Sequence, residues 1–319
     1  MSVRVIGEED TVRLLPMAEC IAAMEEVLAS LARDELYNPL RSVIRPPDTT
    51  TLLGLMPAHR TGPNAVYSLK TICIAAGNRA RGLDSHQGFV ALFDGETGQL
   101  RTLVNASAIT AIRTAAVSAV ATKLLARPGS TTLGILGAGT QGRSHLEAMR
   151  AVLPIERVKV WSRTPGSASE VGDVEEVATP EEAARDVDVL VTATSASEPI
   201  VRREWLPDGV HINAVGSSIP TTRELDTATI VDAALYVDRR ESTLNEAGDY
   251  LFPAAEGAIG PDHIRGELGE LLIGSAEGRS SDSELTVFKS LGLAVEDLGA
   301  VELVLRRAEA EGGGVEVDL

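Results

Sequence analysis

Aromatic residues make up only 3% of the 319 positions, so a core has to be assembled from Ala, Val, Leu and Ile. Positive charge is also in short supply. Lys and Arg number 29 against 46 Asp and Glu, and the net charge of −17 argues against a nucleic-acid surface or an anionic membrane as partner. Small anions stay possible, because they respond to local charge. Cysteine occurs twice, at Cys20 and Cys73, in apolar settings without metal-ligand spacing. Both are expected as buried small hydrophobes in a reducing compartment, and no metal site is expected. No run approaches ~18 uninterrupted apolar residues, and the start MSVRVIGEED has no signal-peptide hydrophobic region. A soluble, cytoplasmic protein is the expectation.

What is present is ordinary globular material, 44% hydrophobic and 24% charged, in a chain long enough for about two domains. Lysine is the rare cation, found only at Lys70, Lys123, Lys159 and Lys289. One of the four stands inside AVYSLKTICI (65–74), which reads as a buried strand with an ammonium in its middle. Burying a charge costs several kcal/mol, on the order of mutational values, unless it is paired or bound. Two readings follow: an edge strand whose lysine reaches water, or a lysine facing a negatively charged ligand.

Residues 16–36 place Ile21, Met24, Val27, Leu28 and Leu31 at helical spacing, with Pro16 in the first turn. Between 39 and 103 short apolar runs are broken by Pro, Gly and Asp, which predicts a mainly antiparallel sheet with a hairpin turn at 94–98. A small-residue helix is predicted over 106–126, and Arg127-Pro128-Gly129-Ser130 reads as the domain boundary. Beyond it, TTLGILG, RVKVWSR, DVLVTATS, VHINAVGS and ALYVDR alternate with helix-compatible segments such as SHLEAMRAV and PEEAARD. Such alternation of apolar strands and helices predicts a parallel sheet covered on both faces. Residues 285–310 read as a long helix returning to the first domain, and the tail GGGVEVDL as mobile.

The strand TTLGIL runs into Gly137-Ala138-Gly139-Thr140-Gln141-Gly142 and then a helix. That context gives a Gly-x-Gly-x-x-Gly pattern its weight. The first glycine permits the tight turn, the second lets backbone approach a pyrophosphate, and the third lets helix and strand pack closely. The helix N-terminus then faces the phosphates with free N–H groups. The next strand ends in Trp161-Ser162-Arg163-Thr164, where an NAD enzyme commonly carries an acid for the ribose 2′-hydroxyl. Arg163 can instead pair with a 2′-phosphate, with Ser162 and Thr164 donating hydrogen bonds. NADP(H) is therefore preferred, with NAD(H) possible.

With GLMPA (54–58), SHQG (85–88), AIRTAAVSAVATKLLARP (111–128), LGAGTQG, HINAVGSSIP (211–220), ALYVDR, GELGELLIG (266–274) and VFKSLGLAVED (287–297) in view, the chain resembles the ornithine cyclodeaminase/mu-crystallin family along almost its whole length. The resemblance implies an α/β protein: a doubly wound Rossmann domain (128–289) binding NAD(P), plus a discontinuous α+β domain (1–127 and 290–319) for substrate binding and homodimerisation. It implies that Lys70 and Arg41 hold a substrate carboxylate beside the reacting carbon, with Arg45 a neighbouring competitor for the second role. Arg113 would sit at the substrate–cofactor junction and His86 would contact nicotinamide or substrate. Cofactor contacts carry over to Ser85, Thr114, the loop 137–142, Thr194, Ser195, Val215, Gly216, Ser218, Lys289 and Ser290. A helix-end lysine satisfying carbonyls is the alternative for Lys289. Glu256 is a further acid for the substrate side, whereas His59, His145, His211 and His263 are expected to be structural.

Two departures narrow the family. Cyclodeaminases resemble one another in an acid before LMP and an Asp after the glycine of NAVG; here Gly54 and Ser218 stand there. A hydroxyl is a poor general base beside a carboxylate. The expectation is thus reduction of a small imino acid, cyclic or linear, by hydride transfer. The alternatives are an amino-acid dehydrogenase of the alanine type, then a cyclodeaminase-like lyase, or a non-catalytic small-ligand binder.

Overall fold

The computed structural model describes residues 2–318. Its chain divides into two compact units: one from the chain up to Arg113 and from Leu293 onward, the other Thr114–Gly292. In chain order the first stretch forms β1 (Ser2–Ile6), α1 (Glu8–Leu14), α2 (Met17–Ala32), β2 (Leu36–Tyr37), β3 (Ser42–Ile44), β4 (Thr51–Arg60), β5 (Val66–Ala75), β6 (His86–Asp94), β7 (Leu100–Asn105) and α3 (Ala106–Leu125). The middle forms β8 (Thr132–Leu136), α4 (Thr140–Val152), β9 (Arg157–Trp161), β10 (Glu175–Glu176), α5 (Pro180–Ala184), β11 (Val189–Thr192), β12 (His211–Ala214), α6 (Thr227–Asp232) and β13 (Ala234–Val237). It continues through α7 (Arg240–Glu246), α8 (Gly248–Ala255), β14 (Ile264–Glu267), α9 (Leu268–Leu272) and β15 (Thr286–Lys289), before α10 (Ala294–Glu311) and β16 (Val315–Asp318).

The first unit holds an eight-stranded sheet in the order β16-β1-β7-β6-β5-β4-β2, with β3 on β4. β4 through β7 are antiparallel, as the turn chemistry predicted, and Asp94 closes the β6–β7 hairpin by accepting from the Thr97 N–H at 2.8 Å. β5 lies between β4 and β6, so the edge-strand reading of Lys70 fails. One face of the sheet is covered by α10, which lies on β4, β5 and β6, with α2 packed against α10. Gly299 lets α10 come close, since a Cβ there would stand 3.2 Å from the Val27 Cβ.

Two expectations need correction in this unit, and a third where the chain returns to it. The tail is not loose: β16 pairs antiparallel with β1, and Glu316 takes a 2.7 Å ion pair from Arg4. Cys73 is exposed, because strand alternation turns it to the face opposite Lys70; only Cys20 is buried. The long helix begins at Ala294 rather than 285, since Thr286–Lys289 is a fully buried strand. A four-residue apolar run fits either element by periodicity, and pairing with β12 and β13 settled it.

The second unit is an eight-stranded, all-parallel sheet in the order β10-β9-β8-β11-β12-β15-β13-β14. The chain winds outward from β8 through β9 and β10, then crosses to β11 on the other side, which is the doubly wound Rossmann topology. The division between units falls within α3, after Arg113, rather than at 127–130, and the chain re-enters the first unit at Leu293 rather than 290. The second half of α3 is tied to the parallel-sheet unit: His145 Nε2 lies 2.9 Å from Ser118 Oγ, Asn213 donates to Thr122 Oγ1 at 2.9 Å, and Arg279 donates to the Leu125 carbonyl at 2.7 Å. By length and composition α3 could cross a bilayer, but it is mostly buried inside the protein.

Candidate functional site

In the first unit, Lys70 is 2% exposed and its Nζ lies 2.8 Å from Asp297 Oδ2. The other oxygen, Asp297 Oδ1, accepts from Arg113 Nε at 2.9 Å, and Glu296 Oε2 accepts from Arg113 Nη1 at 2.7 Å. All four side chains are buried. Glu296 and Asp297 occupy the first turn of α10, where the helix dipole favours negative charge. Burial pushes the Asp297 carboxyl up, but Lys70 and Arg113 outweigh it and hold the group below the usual range. Burial draws Lys70 down to about 8, against the pull of Asp297, with Arg113 and Arg41 adding to the decrease.

The structure therefore brings Arg41, Lys70 and Arg113 into one electrostatic neighbourhood. Arg41 is half-buried at the entry to β3, while Arg45 is exposed beyond that strand. His86 joins them from the first position of β6. Its pKa is lowered by burial, opposed by Asp84, and lowered further by Lys70 and Arg113. Ser85 Oγ lies 3.0 Å from His86 Nδ1, and Asp84 Oδ1 accepts from the His86 N–H at 2.9 Å. Two acids that the sequence reading left unassigned, Glu296 and Asp297, are the direct partners. The signal was present, since a lysine buried in a strand requires a counter-charge. Two cations against two carboxylates leave this core neutral, and Arg41 lies near enough to act on Lys70. A carboxylate is the group that paired guanidinium and ammonium donors receive best.

In the second unit, β8 leads into Gly137 with φ +113°, where a Cβ would meet the Ala193 carbonyl oxygen at 2.4 Å. At Gly142, inside the first turn of α4, a Cβ would stand 2.1 Å from the Gly137 oxygen, so the close helix–turn packing also demands glycine. Gly139, the N-cap of α4, differs: a Cβ there would meet no protein atom within 4 Å. Neither packing nor backbone strain explains that glycine, and the open space above it fits a pyrophosphate approaching the N–H groups of α4. Ala138 is buried beneath the turn, and Thr140 and Gln141 begin the helix.

Ser162, Arg163 and Thr164 follow β9, with Arg163 and Thr164 exposed and Ser162 Oγ accepting from the Thr164 N–H at 3.4 Å. Thr194 and Ser195 follow β11, and Val215, Gly216 and Ser218 follow β12. Thr114 is 7% exposed on α3. Lys289 and Ser290 are buried at the end of β15. The lysine donates to the Ala214 carbonyl at 3.1 Å and pairs with Asp249 at 3.1 Å, so it does satisfy a carbonyl, but from a strand and not from a helix end.

The remaining histidines have structural partners where the structure shows them. Burial holds His145 down to about 4 between the Gln141 carbonyl and Ser118, and His211 down to about 3 beside Thr286. His263 contacts the Ile230 carbonyl, and His59 stacks on Tyr67. Glu256 pairs with Arg223 and Thr227 at the surface, which gives it a structural task.

A Rossmann unit with a glycine turn, carried in one chain with an α+β unit whose sheet buries a lysine–arginine–carboxylate cluster, defines a dinucleotide-binding protein of the oxidoreductase type. The chain belongs to the ornithine cyclodeaminase/mu-crystallin family, whose pattern matches residues 3–312. It is 41% identical over 292 residues to the ketimine reductase mu-crystallin of Mus musculus, covering 89% of this chain and 90% of that one. A Thermococcus litoralis Delta(1)-pyrroline-2-carboxylate reductase, solved in complex with NADH and L-proline, superposes with a TM-score of 0.95 at 34% identity, covering 99% and 100% of the two chains. An archaeal alanine dehydrogenase dimer with bound NAD superposes with a TM-score of 0.93 at 31% identity over the whole of both chains.

Proposed function

We propose that this protein is an NAD(P)H-dependent reductase of a small imino acid, with the carboxylate adjacent to the C=N carbon. The observation that carries the reading is Lys70: an ammonium buried at the centre of a sheet, held by Asp297, with Arg113 and Arg41 beside it. Arg41 and Lys70 hold the substrate carboxylate, and His86 borders the same space. The bound dinucleotide supplies the hydride. Fixing the imine carbon in a near-attack geometry contributes roughly 7–11 kcal/mol in favourable cases. Run backward, the same site oxidises an amino acid, which is the activity named for the alanine dehydrogenase relative. Ser218 in place of an acid disfavours ring-closing deamination. The test is NADPH and NADH oxidation on adding a cyclic ketimine such as pyrroline-2-carboxylate. Stoichiometric binding without turnover would instead make the protein a ligand store.

NADP(H) is the preferred cofactor in this reading, through Arg163 at the end of β9. Arg163→Asp removes a cation and sets a like charge against the 2′-phosphate. It should weaken NADPH while leaving NADH similar or better, as read from KM for each. An unchanged NADPH/NADH ratio would show that the phosphate is not recognised at this residue.

The protein is further proposed to be a homodimer. Strand register places Ile44, Leu53, Leu55, Tyr67, Leu69 and Phe89 on the sheet face turned away from Lys70, with Ile44, Tyr67 and Phe89 exposed at 50%, 51% and 41%. A contiguous apolar face of this kind marks an interface, and a two-fold pairing of such sheets covers both at once. Sedimentation at micromolar concentration should give a dimer, and a monomer there would rule it out.

A further inference from the structure

Glu224 lies in the loop between β12 and α6 and is fully buried, yet the chemistry above gives it no task. Its Oε1 accepts from the Thr194 N–H and the Thr194 hydroxyl, each at 2.7 Å. Its Oε2 accepts from the Thr192 hydroxyl at 2.7 Å and the Gly216 N–H at 2.8 Å. One carboxylate thus joins the carboxyl ends of two adjacent strands, β11 and β12. Gly216 is required for the approach, because a Cβ there would stand 2.3 Å from the Thr194 oxygen and 2.5 Å from Glu224 Oε1. The clamp has its own support. The Glu224 and Leu225 N–H groups donate to Asp249 Oδ1 at 2.8 and 3.0 Å, and Asp249 Oδ2 pairs with Lys289.

Two carboxylates against one ammonium leave this buried cluster with an excess negative charge, and burial with Asp249 pushes the Glu224 pKa up, against Lys289 and the threonine donors. A glutamine would relieve that charge but could not accept from all four donors, so the need for a glutamate lies in the donors it collects. In a doubly wound sheet the strands on one side of the switch point receive one mononucleotide and those on the other side receive the second. β8, β9 and β10 carry the glycine turn and Arg163; β11 and β12 lie across the switch point.

We propose that Glu224 is a positioning residue for the second, nicotinamide-bearing half of the dinucleotide, acting through Thr194 and Gly216 by locking the loops after β11 and β12 into one shape. The proposal rests on the dinucleotide-binding reading and extends it to a residue with no direct part in the chemistry. In Glu224→Gln the amide keeps the volume but must turn its NH2 toward either Thr194 or Gly216, setting donor against donor and freeing one loop.

The experiment compares whole and half cofactors by fluorescence and calorimetric titration: NADPH with 2′,5′-ADP, and NADH with AMP. In Glu224→Gln the Kd of the tighter whole dinucleotide should rise at least ~10-fold, while the Kd of its half-molecule should stay within about twofold. Equal weakening of whole and half molecules, or no weakening of either, would overturn the proposal. Should the glutamine variant not fold, Thr192→Val removes one of the clamp's donors at constant volume and should give the same split at about threefold or more. No split in that variant counts against the clamp equally. A wild-type protein that binds neither dinucleotide would overturn the functional reading itself, an outcome separate from the mutant comparison.

Discussion

Lys70→Met should lower kcat/KM for an accepted cyclic imino acid at least ~100-fold, equivalent to ~2.7 kcal/mol of transition-state stabilisation. Methionine keeps the length and the apolar stem, so the sheet can close around it. The charge is another matter. Asp297 would retain only Arg113, which Glu296 also engages, and the cluster would carry an unbalanced buried carboxylate. Breaking a buried pair from one side costs about 3–5 kcal/mol, so the single variant should also be less stable. Lys70→Met with Asp297→Asn restores the balance. It should recover most of the stability and none of the turnover, while NADPH affinity stays near wild type in both variants because the glycine turn supplies it. Steady-state kinetics, thermal unfolding and cofactor titration read the three effects separately. Wild-type turnover in the single variant would sink the site assignment.

Gly137→Ala should abolish useful dinucleotide binding, raising Kd at least ~100-fold. At φ +113° an alanine is strained by about 1–3 kcal/mol, and its Cβ would meet the Ala193 carbonyl at 2.4 Å. The turn must then shift, and the N–H groups of α4 shift with it. Gly139→Ala is the informative companion. Its Cβ meets no protein atom within 4 Å, so Tm should not change. Affinity should still fall, because the methyl takes the space a pyrophosphate needs. Nearly unchanged NADPH affinity in Gly137→Ala, or in Gly139→Ala, would contradict the assigned cradle.

Much of the second unit was legible in the sequence because its code is local. β8, the glycine turn and α4 are contiguous; Gly142 answers to Gly137 within the same turn, and Gly137 to its own positive φ, although its tightest neighbour, Ala193, comes from the next strand of the sheet. The cationic side of the site was legible from Lys70 alone, since an ammonium inside an apolar strand is conspicuous. Its partner was not. Glu296 and Asp297 stand in a helical segment of an acidic chain, where most carboxylates are solvated, and nothing in their spacing distinguishes them. Glu224 was silent for the same reason: its four donors come from three residues at the ends of two strands that meet only in the folded sheet.

The sequence by itself determined the alternation of strands and helices, the antiparallel block before it, the dinucleotide turn and the buried lysine. Those features follow from side-chain period, turn geometry and the solvation of a single charge, all properties of short segments. Only the tertiary structure decided that Thr286–Lys289 is a strand, that the tail pairs with β1, that α3 is shared between two units, and which carboxylates meet Lys70, Arg113 and Lys289. A short apolar run satisfies helix and strand alike, an extended tail pairs wherever an edge is open, and a buried charge is neutralised by whichever group the fold carries to within 3–4 Å of it. Each depends on residues distant in the chain, and distance in sequence leaves no local mark.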